Sequence, residues 1–273
     1  MRKWLAGAVA VFLVACAVPG SSFAAVTVKA SGPIEQAFEQ SFVLHSDAVG
    51  RDFQVNVFSP PGPPLSVRTP VIYALDAGYD LAGPALRAVL PDMQPALIVH
   101  IGYRPPDFSY RMHDLLFERG SDGLATQGGG GAAFARFLLD ELKPWIEARF
   151  PADAQRSFLM GHSASGLFAA HVLADQPNRF AGYVLASPPF DFEPALLDRL
   201  AHARATPTVR VFVSVGGREP TQMIAGAQTA ARALSKPGSG FVVESQVFEG
   251  LGHSESYLML PLKAYPFLLP RTR

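Results

Sequence analysis

The chain is 273 residues long, 49% apolar and 17% charged, with 23 basic residues against 23 acidic ones. That length suffices for one large α/β domain, and the composition is that of a packed globule rather than a disordered or fibrous chain. A formal net charge of zero, a pI of about 7.1 and the lack of a clustered basic stripe exclude an electrostatic footprint for nucleic acid and point to a small-molecule partner.

In chain order, Arg2 and Lys3 precede an apolar run from Trp4 to Val18, too short to span a bilayer comfortably and flanked like a secretory signal. Two processing sites compete. Ser22-Phe23-Ala24 before Ala25 carries small residues where signal peptidase needs them, which gives a leader over 1–24. Leu13-Val14-Ala15-Cys16 resembles a bacterial lipobox, which gives a leader over 1–15 and a lipid anchor on Cys16. Either way the expectation is export, to the periplasm, the medium or a membrane surface, with residues 25–273 forming a single domain. Cys16 is the chain's one cysteine, so the mature protein has no disulfide.

Gln40 to His45 and Asp52 to Phe58 read as extended segments, the second alternating Phe53, Val55 and Val57 with polar residues. The prolines of residues 59–64 mark a loop. Beyond it, short apolar strands alternate with helical patterns. Strands are expected at Val71–Leu75, Ala96–Ile101, Ser157–Met160, Ala181–Ala186, Val209–Val215 and Phe241–Phe248. Helices are expected through Ala85–Leu90, Phe134–Phe150, Ser165–Ala174, Leu196–Ala205 and Ser256–Leu268, and Pro105–Gln127 reads as the one long irregular segment after the edge strands. Alternation of this kind, with near-continuous apolar strands, implies a mostly parallel sheet covered on both faces, bearing an antiparallel N-terminal edge.

Ligands of such a sheet bind at the carboxyl ends of its strands. Gly161-His162-Ser163-Ala164-Ser165-Gly166 lies there, between a strand and a helix, in the context of a nucleophile elbow, although the motif G-x-S-x-G is broken by Ser165. Ser163 is the candidate nucleophile. A base and an acid are expected in the chain order Ser…Asp/Glu…His. His253 follows the last strand on a glycine-bearing loop and is the candidate base. His202 falls in a helical pattern at the surface, and His162 reads as packing or bonding locally. Glu219, after the strand Val209–Val215, is the candidate acid; Asp191, after the preceding strand, is the alternative. Oxyanion donors are expected from the Ala164 amide and from the loop after Val71–Leu75, at Gly78 or Ala77. Seven histidines without metal-ligand spacing give no metal site, and Gly128–Gly131 lacks the lysine and hydroxyl of a phosphate loop. No cofactor is expected.

Several stretches carry a resemblance to a known family. They are Val71-Ile72-Tyr73-Ala74-Leu75-Asp76; His100-Ile101-Gly102-Tyr103 with Arg111 and Asp114; Gly130-Gly131 through Pro144; Gly161 through Phe168; and Ala186-Ser187-Pro188. Together they resemble the putative-esterase (esterase D-like) branch of the α/β-hydrolases, and within it the siderophore-ester hydrolases. Ala77 and Ser165 stand where that family's pattern has glycine. The resemblance implies an α/β-hydrolase fold and a cofactor-independent serine esterase acting on a small-molecule ester through a Ser–His–Glu triad or a Ser–His dyad. It also implies substrate contacts from Tyr79 and Arg111, the latter with a structural pairing to Asp114 as the alternative. A catalytically weakened binding protein using the same cleft is the rival reading.

Overall fold

The computed structural model describes residues 26–33, 39–58, 68–76, 94, 96–103, 109–121 and 123–270. The leader with Cys16, the proline loop, the expected helix at Ala85–Leu90, and Ala77, Gly78 and Tyr79 lie outside the described residues.

Nine described strands form one sheet: β1 (Val26–Pro33), β2 (Glu39–Ser46), β3 (Arg51–Phe58), β4 (Thr69–Leu75), β5 (Leu97–Gly102), β6 (Ala152–His162), β7 (Gly182–Ala186), β8 (Val209–Gly216) and β9 (Phe241–Phe248). Their order is β1-β2-β3-β5-β4-β6-β7-β8-β9. β1, β2, β3 and β5 pair antiparallel in succession, and every pair from β5 through β4 to β9 is parallel. This is the α/β-hydrolase fold, a mostly parallel sheet with an antiparallel edge. The edge has one strand more than the sequence reading assigns. β1 pairs antiparallel with β2, with a register shift between Val28 and Ala30.

Two faces of the sheet carry two cores, as the pleat demands. Along β4, Val71, Tyr73 and Leu75 enter one cluster while Ile72 and Ala74 enter the other. The first face is covered by helices α1 (Arg111–Leu115), α2 (Gly131–Arg136), α3 (Lys143–Arg149), α4 (Ala164–Asp175), α5 (Ala195–His202) and α6 (Thr221–Leu234). Phe134, Phe137, Leu142, Phe168, Leu200 and Leu234 from that layer are buried there. The second face takes the C-terminal helix α8 (Leu260–Leu268), whose Leu260, Ala264, Tyr265 and Leu268 pack on Phe158, Met160, Val184 and Phe212.

The helix expected over Phe134–Phe150 is present but is not uniform. Between α2 and α3, residues Phe137–Leu142 form a π-helical segment. Pro144 lacks an N–H and its ring crowds the carbonyl four residues back, so the ladder opens to the wider i→i+5 pattern just before it. Phe137, at the start of that segment, stacks on Phe53 of β3 with ring centroids 4.4 Å apart. Pro105–Gln127 also differs from expectation, because it contains α1 and a 3₁₀ turn at Gly123–Gln127.

Candidate active site

β6 ends at His162, α4 begins at Ala164, and the chain reverses at Ser163 alone. Ser163 has φ 62° and ψ −128°, a left-handed conformation that a residue with a Cβ adopts only at a cost of roughly 1–3 kcal/mol. Local packing holds it there. The Ser163 N–H donates to the Ala186 carbonyl of β7 at 2.9 Å, and its own carbonyl accepts from the Leu167 N–H at 3.0 Å. A Cβ at Gly161 would lie 2.0 Å from the Ser165 carbonyl oxygen, so the turn closes only around glycine at that position. Ala164 is the first residue of α4, where an α-helix leaves its N–H groups without intrahelical acceptors and its dipole positive.

Ser165, where the sequence departs from the elbow motif, is fully buried. Its Oγ accepts from the His162 N–H at 2.9 Å and donates to the His162 carbonyl at 2.8 Å.

His253 and Glu219 meet at the same end of the sheet. His253 Nδ1 lies 2.6 Å from Glu219 Oε2. The carboxylate takes the proton on Nδ1, which leaves Nε2 as the unprotonated ring nitrogen. Glu219 Oε1 accepts from the Ser187 Oγ–H and from the Gly216 N–H, each at 2.6 Å. Burial alone would raise the Glu219 pKa, but the bonds from His253, Ser187 and Gly216 outweigh it and hold the carboxyl below its usual range. The Glu219 side chain is 0% exposed while that of His253 is 40% exposed, so the acid is sealed and the ring remains open to a substrate. Gly216 is required by a close approach, since a Cβ there would meet the Leu251 carbonyl at 2.6 Å.

His253 is not on a free loop as expected from sequence. It opens a short helix α7 (His253–Tyr257), started by the Ser256 N–H donating to the Gly252 carbonyl at 3.0 Å. The ring is brought against the elbow through the residue before the candidate nucleophile. His162 Nε2–H donates to the His253 carbonyl at 3.0 Å, and the two rings lie 4.5 Å apart. Burial, helped by the neighbouring His253, lowers the His162 pKa to about 4 and keeps its ring neutral. Asp191 is exposed, and it is the Glu219 carboxylate that bonds to His253. His202 ends α5 at the surface, with Nδ1 2.8 Å from the Asp198 carbonyl.

The alternative pairing expected for Arg111 is corrected. Its fork engages Asp76, with Nε to Oδ1 at 2.7 Å and Nη2 to Oδ2 at 2.6 Å, rather than Asp114. Asp114 is buried and is taken instead by Arg51, both oxygens at 2.8 Å, and by His113. Asp76 follows β4, whose Ala74 is in register with Met160 of β6, and so it stands level with His162. It too has a positive φ, 68°. Ser187 and Asp76 are residues that spacing could not have assigned. The only signal for either was membership of the quoted stretches Ala186-Ser187-Pro188 and Leu75-Asp76.

The fold and this constellation define the molecule as an α/β-hydrolase-fold protein with a strand–turn–helix elbow at Ser163 and an adjoining His–carboxylate pair. Residues 46–247 match the family described as putative esterase, and the chain belongs to that family. Among characterised relatives it is 33% identical over 179 residues to the ferri-bacillibactin esterase BesA of Bacillus subtilis, a match covering 59% of this chain and 62% of that protein. It is 39% identical over 95 residues to a siderophore triacetylfusarinine C esterase of Aspergillus fumigatus, covering 34% of this chain and 32% of the other. These matches span less than two thirds of the relatives' own lengths. Among solved structures, the BES protein of Bacillus cereus superimposes with a TM-score of 0.74 at 28% identity, covering 90% of this chain and 100% of that one.

Proposed function

We propose that this protein is an exported serine esterase that hydrolyses small-molecule carboxylic esters, with siderophore esters as its substrate class. The observation that carries the reading is the His253–Glu219 pair at 2.6 Å, set against a turn in which Ser163 has φ 62°. In this mechanism His253 Nε2 takes the Ser163 hydroxyl proton as Oγ attacks the ester carbonyl. The imidazolium then gives that proton to the leaving alcohol, and water, deprotonated by His253, releases the acid and frees Ser163. Glu219 orients the ring and offsets its charge. The Ala164 N–H supplies one oxyanion donor, and the Gly78 N–H, in the sequence stretch after β4, is assigned as the other. Tyr79, one residue further along the sequence, is assigned to substrate contact.

The substrate class rests on the relatives, which include proteins named as esterases of ferri-bacillibactin and of triacetylfusarinine C. A panel of esters tests it. Catecholate trilactone or other siderophore esters should be cleaved with a higher kcat/KM than p-nitrophenyl acetate. The proposal includes an open cleft, so activity on p-nitrophenyl esters should fall beyond about six to eight acyl carbons; only a deep tunnel would gain roughly 0.8 kcal/mol for each methylene it buries. A preference for palmitoyl esters with no turnover of siderophore esters would reject the siderophore assignment.

A further inference from the structure

We infer that His162 is a positioning residue for His253, acting through a hydrogen bond to the backbone rather than to the catalytic ring. This rests on the esterase reading above and deepens it.

A base that moves a proton in both half-reactions must be fixed at more than one point, since a misplacement of about 1 Å can cost on the order of a hundredfold in rate. Glu219 fixes the Nδ1 edge of the His253 ring. That contact alone leaves the backbone of α7 free to rock about it. The His253 carbonyl supplies the second point. It accepts from His162 Nε2–H at 3.0 Å and from the Ser256 Oγ–H at 2.9 Å. The link spans a sequence separation of 91 residues and ties α7 directly to the elbow.

His162 is itself braced. Its backbone N–H and carbonyl both bond to the Ser165 Oγ, which closes a ring over the elbow. Its imidazole lies between the rings of His253 and Tyr257, at 4.5 and 5.2 Å between centroids. Donation from Nε2 fixes the tautomer, with the proton on Nε2 and none on Nδ1. The neutral state matters too. His253 becomes positive during each proton transfer, and a second cation at this separation would oppose that charge. The serine at 165 is therefore part of the brace and not merely a lapse from the family's glycine.

Two isosteric replacements separate this role from simple packing. Glutamine sets its amide nitrogen near the position of Nε2, whereas asparagine reaches only as far as Nδ1. His162→Asn should lower kcat by about tenfold or more with KM changed less than about twofold, and His162→Gln should recover most of that loss. Thermal midpoints of both variants are measured alongside to separate misfolding from misplacement. Equal losses in the two variants, or a loss expressed in KM, would overturn the proposal. A second readout needs no turnover, so it stands even if the esterase reading fails. In the long-range proton–nitrogen spectrum of the wild-type imidazoles, His162 should be the Nε2–H tautomer with a slowly exchanging proton. An Nδ1–H tautomer or a freely exchanging proton overturns the inference whatever the enzyme's activity.

Discussion

Ser163, His253 and Glu219 differ in how replaceable each is, and the difference follows from what each atom must do. In the proposed mechanism Ser163 Oγ forms the covalent bond and His253 Nε2 carries the proton in both half-reactions, so neither has a substitute. Glu219 orients and compensates. Its carboxylate is already held by Ser187 and Gly216, and those donors keep the site organised when its charge is removed. His253→Ala should reduce kcat by about a thousandfold or more, on the pattern of triad deletions. Glu219→Gln keeps the shape, loses the charge, and should cost on the order of tenfold to a thousandfold. Steady-state kinetics on one short-chain ester check both, and a loss from Glu219→Gln equal to that from His253→Ala would mean that the carboxylate does more than orient. Arg111 belongs to this scale as well. Its fork is engaged with Asp76 after β4.

In the proposed mechanism the β6–α4 elbow converts a local sequence pattern into reactivity. Strand, one strained serine and helix follow each other without an intervening residue, and the strain at φ 62° persists because β7 and α4 hold both sides of the turn. Gly161→Ala tests that dependence. The added methyl would sit 2.0 Å from a backbone oxygen, which cannot rotate away as a side chain would. Overpacking of this kind costs about 1–3 kcal/mol. The expected result is a thermal midpoint lowered by about 2–4 °C for each kcal/mol, together with a loss of activity larger than that stability change explains. Calorimetry and kinetics on the same preparation measure both. Unchanged activity would mean that the elbow is not the reactive element. The elbow itself was legible in the sequence, because a strand pattern, a glycine two residues before a serine and a helical pattern are all local signals. The surroundings were not. Ser187, Ser256 and His162 reach Glu219 and His253 across separations of 32 to 91 residues, and no local period encodes such meetings. The short helix that opens at His253 was hidden for another reason, since Gly250 and Gly252 just before it read as loop.

For the whole molecule, the sheet's two-sided burial has a consequence for pH. The parallel strands were legible as apolar runs because β4 and β5 are buried along their whole lengths. The same burial encloses His100 of β5, whose pKa it lowers to about 4, and much of His162, lowered to about 4 in turn. Each ring binds its proton more readily in the unfolded chain than in the folded one. Their contribution to stability is therefore complete above the ordinary histidine value of 6.5 and is lost as pH falls from there towards about 4. For His100 the amount is on the order of 3 kcal/mol; His162, which solvent reaches more, contributes less. Glu219 acts in the same direction but lower, its share being lost as pH falls below the usual carboxylate range. Denaturant unfolding at pH 7, 5.5 and 4.5 should show a falling midpoint, and His100→Phe should flatten the fall. A midpoint constant over that range would contradict this account of the buried histidines.

Covalent titration decides whether Ser163 is a nucleophile activated by His253. The purified protein is treated with a fluorophosphonate, and the labelled peptide is located by mass spectrometry. The account predicts one phosphonyl group per chain, on Ser163, at a rate that falls by about a thousandfold or more in His253→Ala. No labelling of the wild-type protein, or labelling on Ser165, would contradict it.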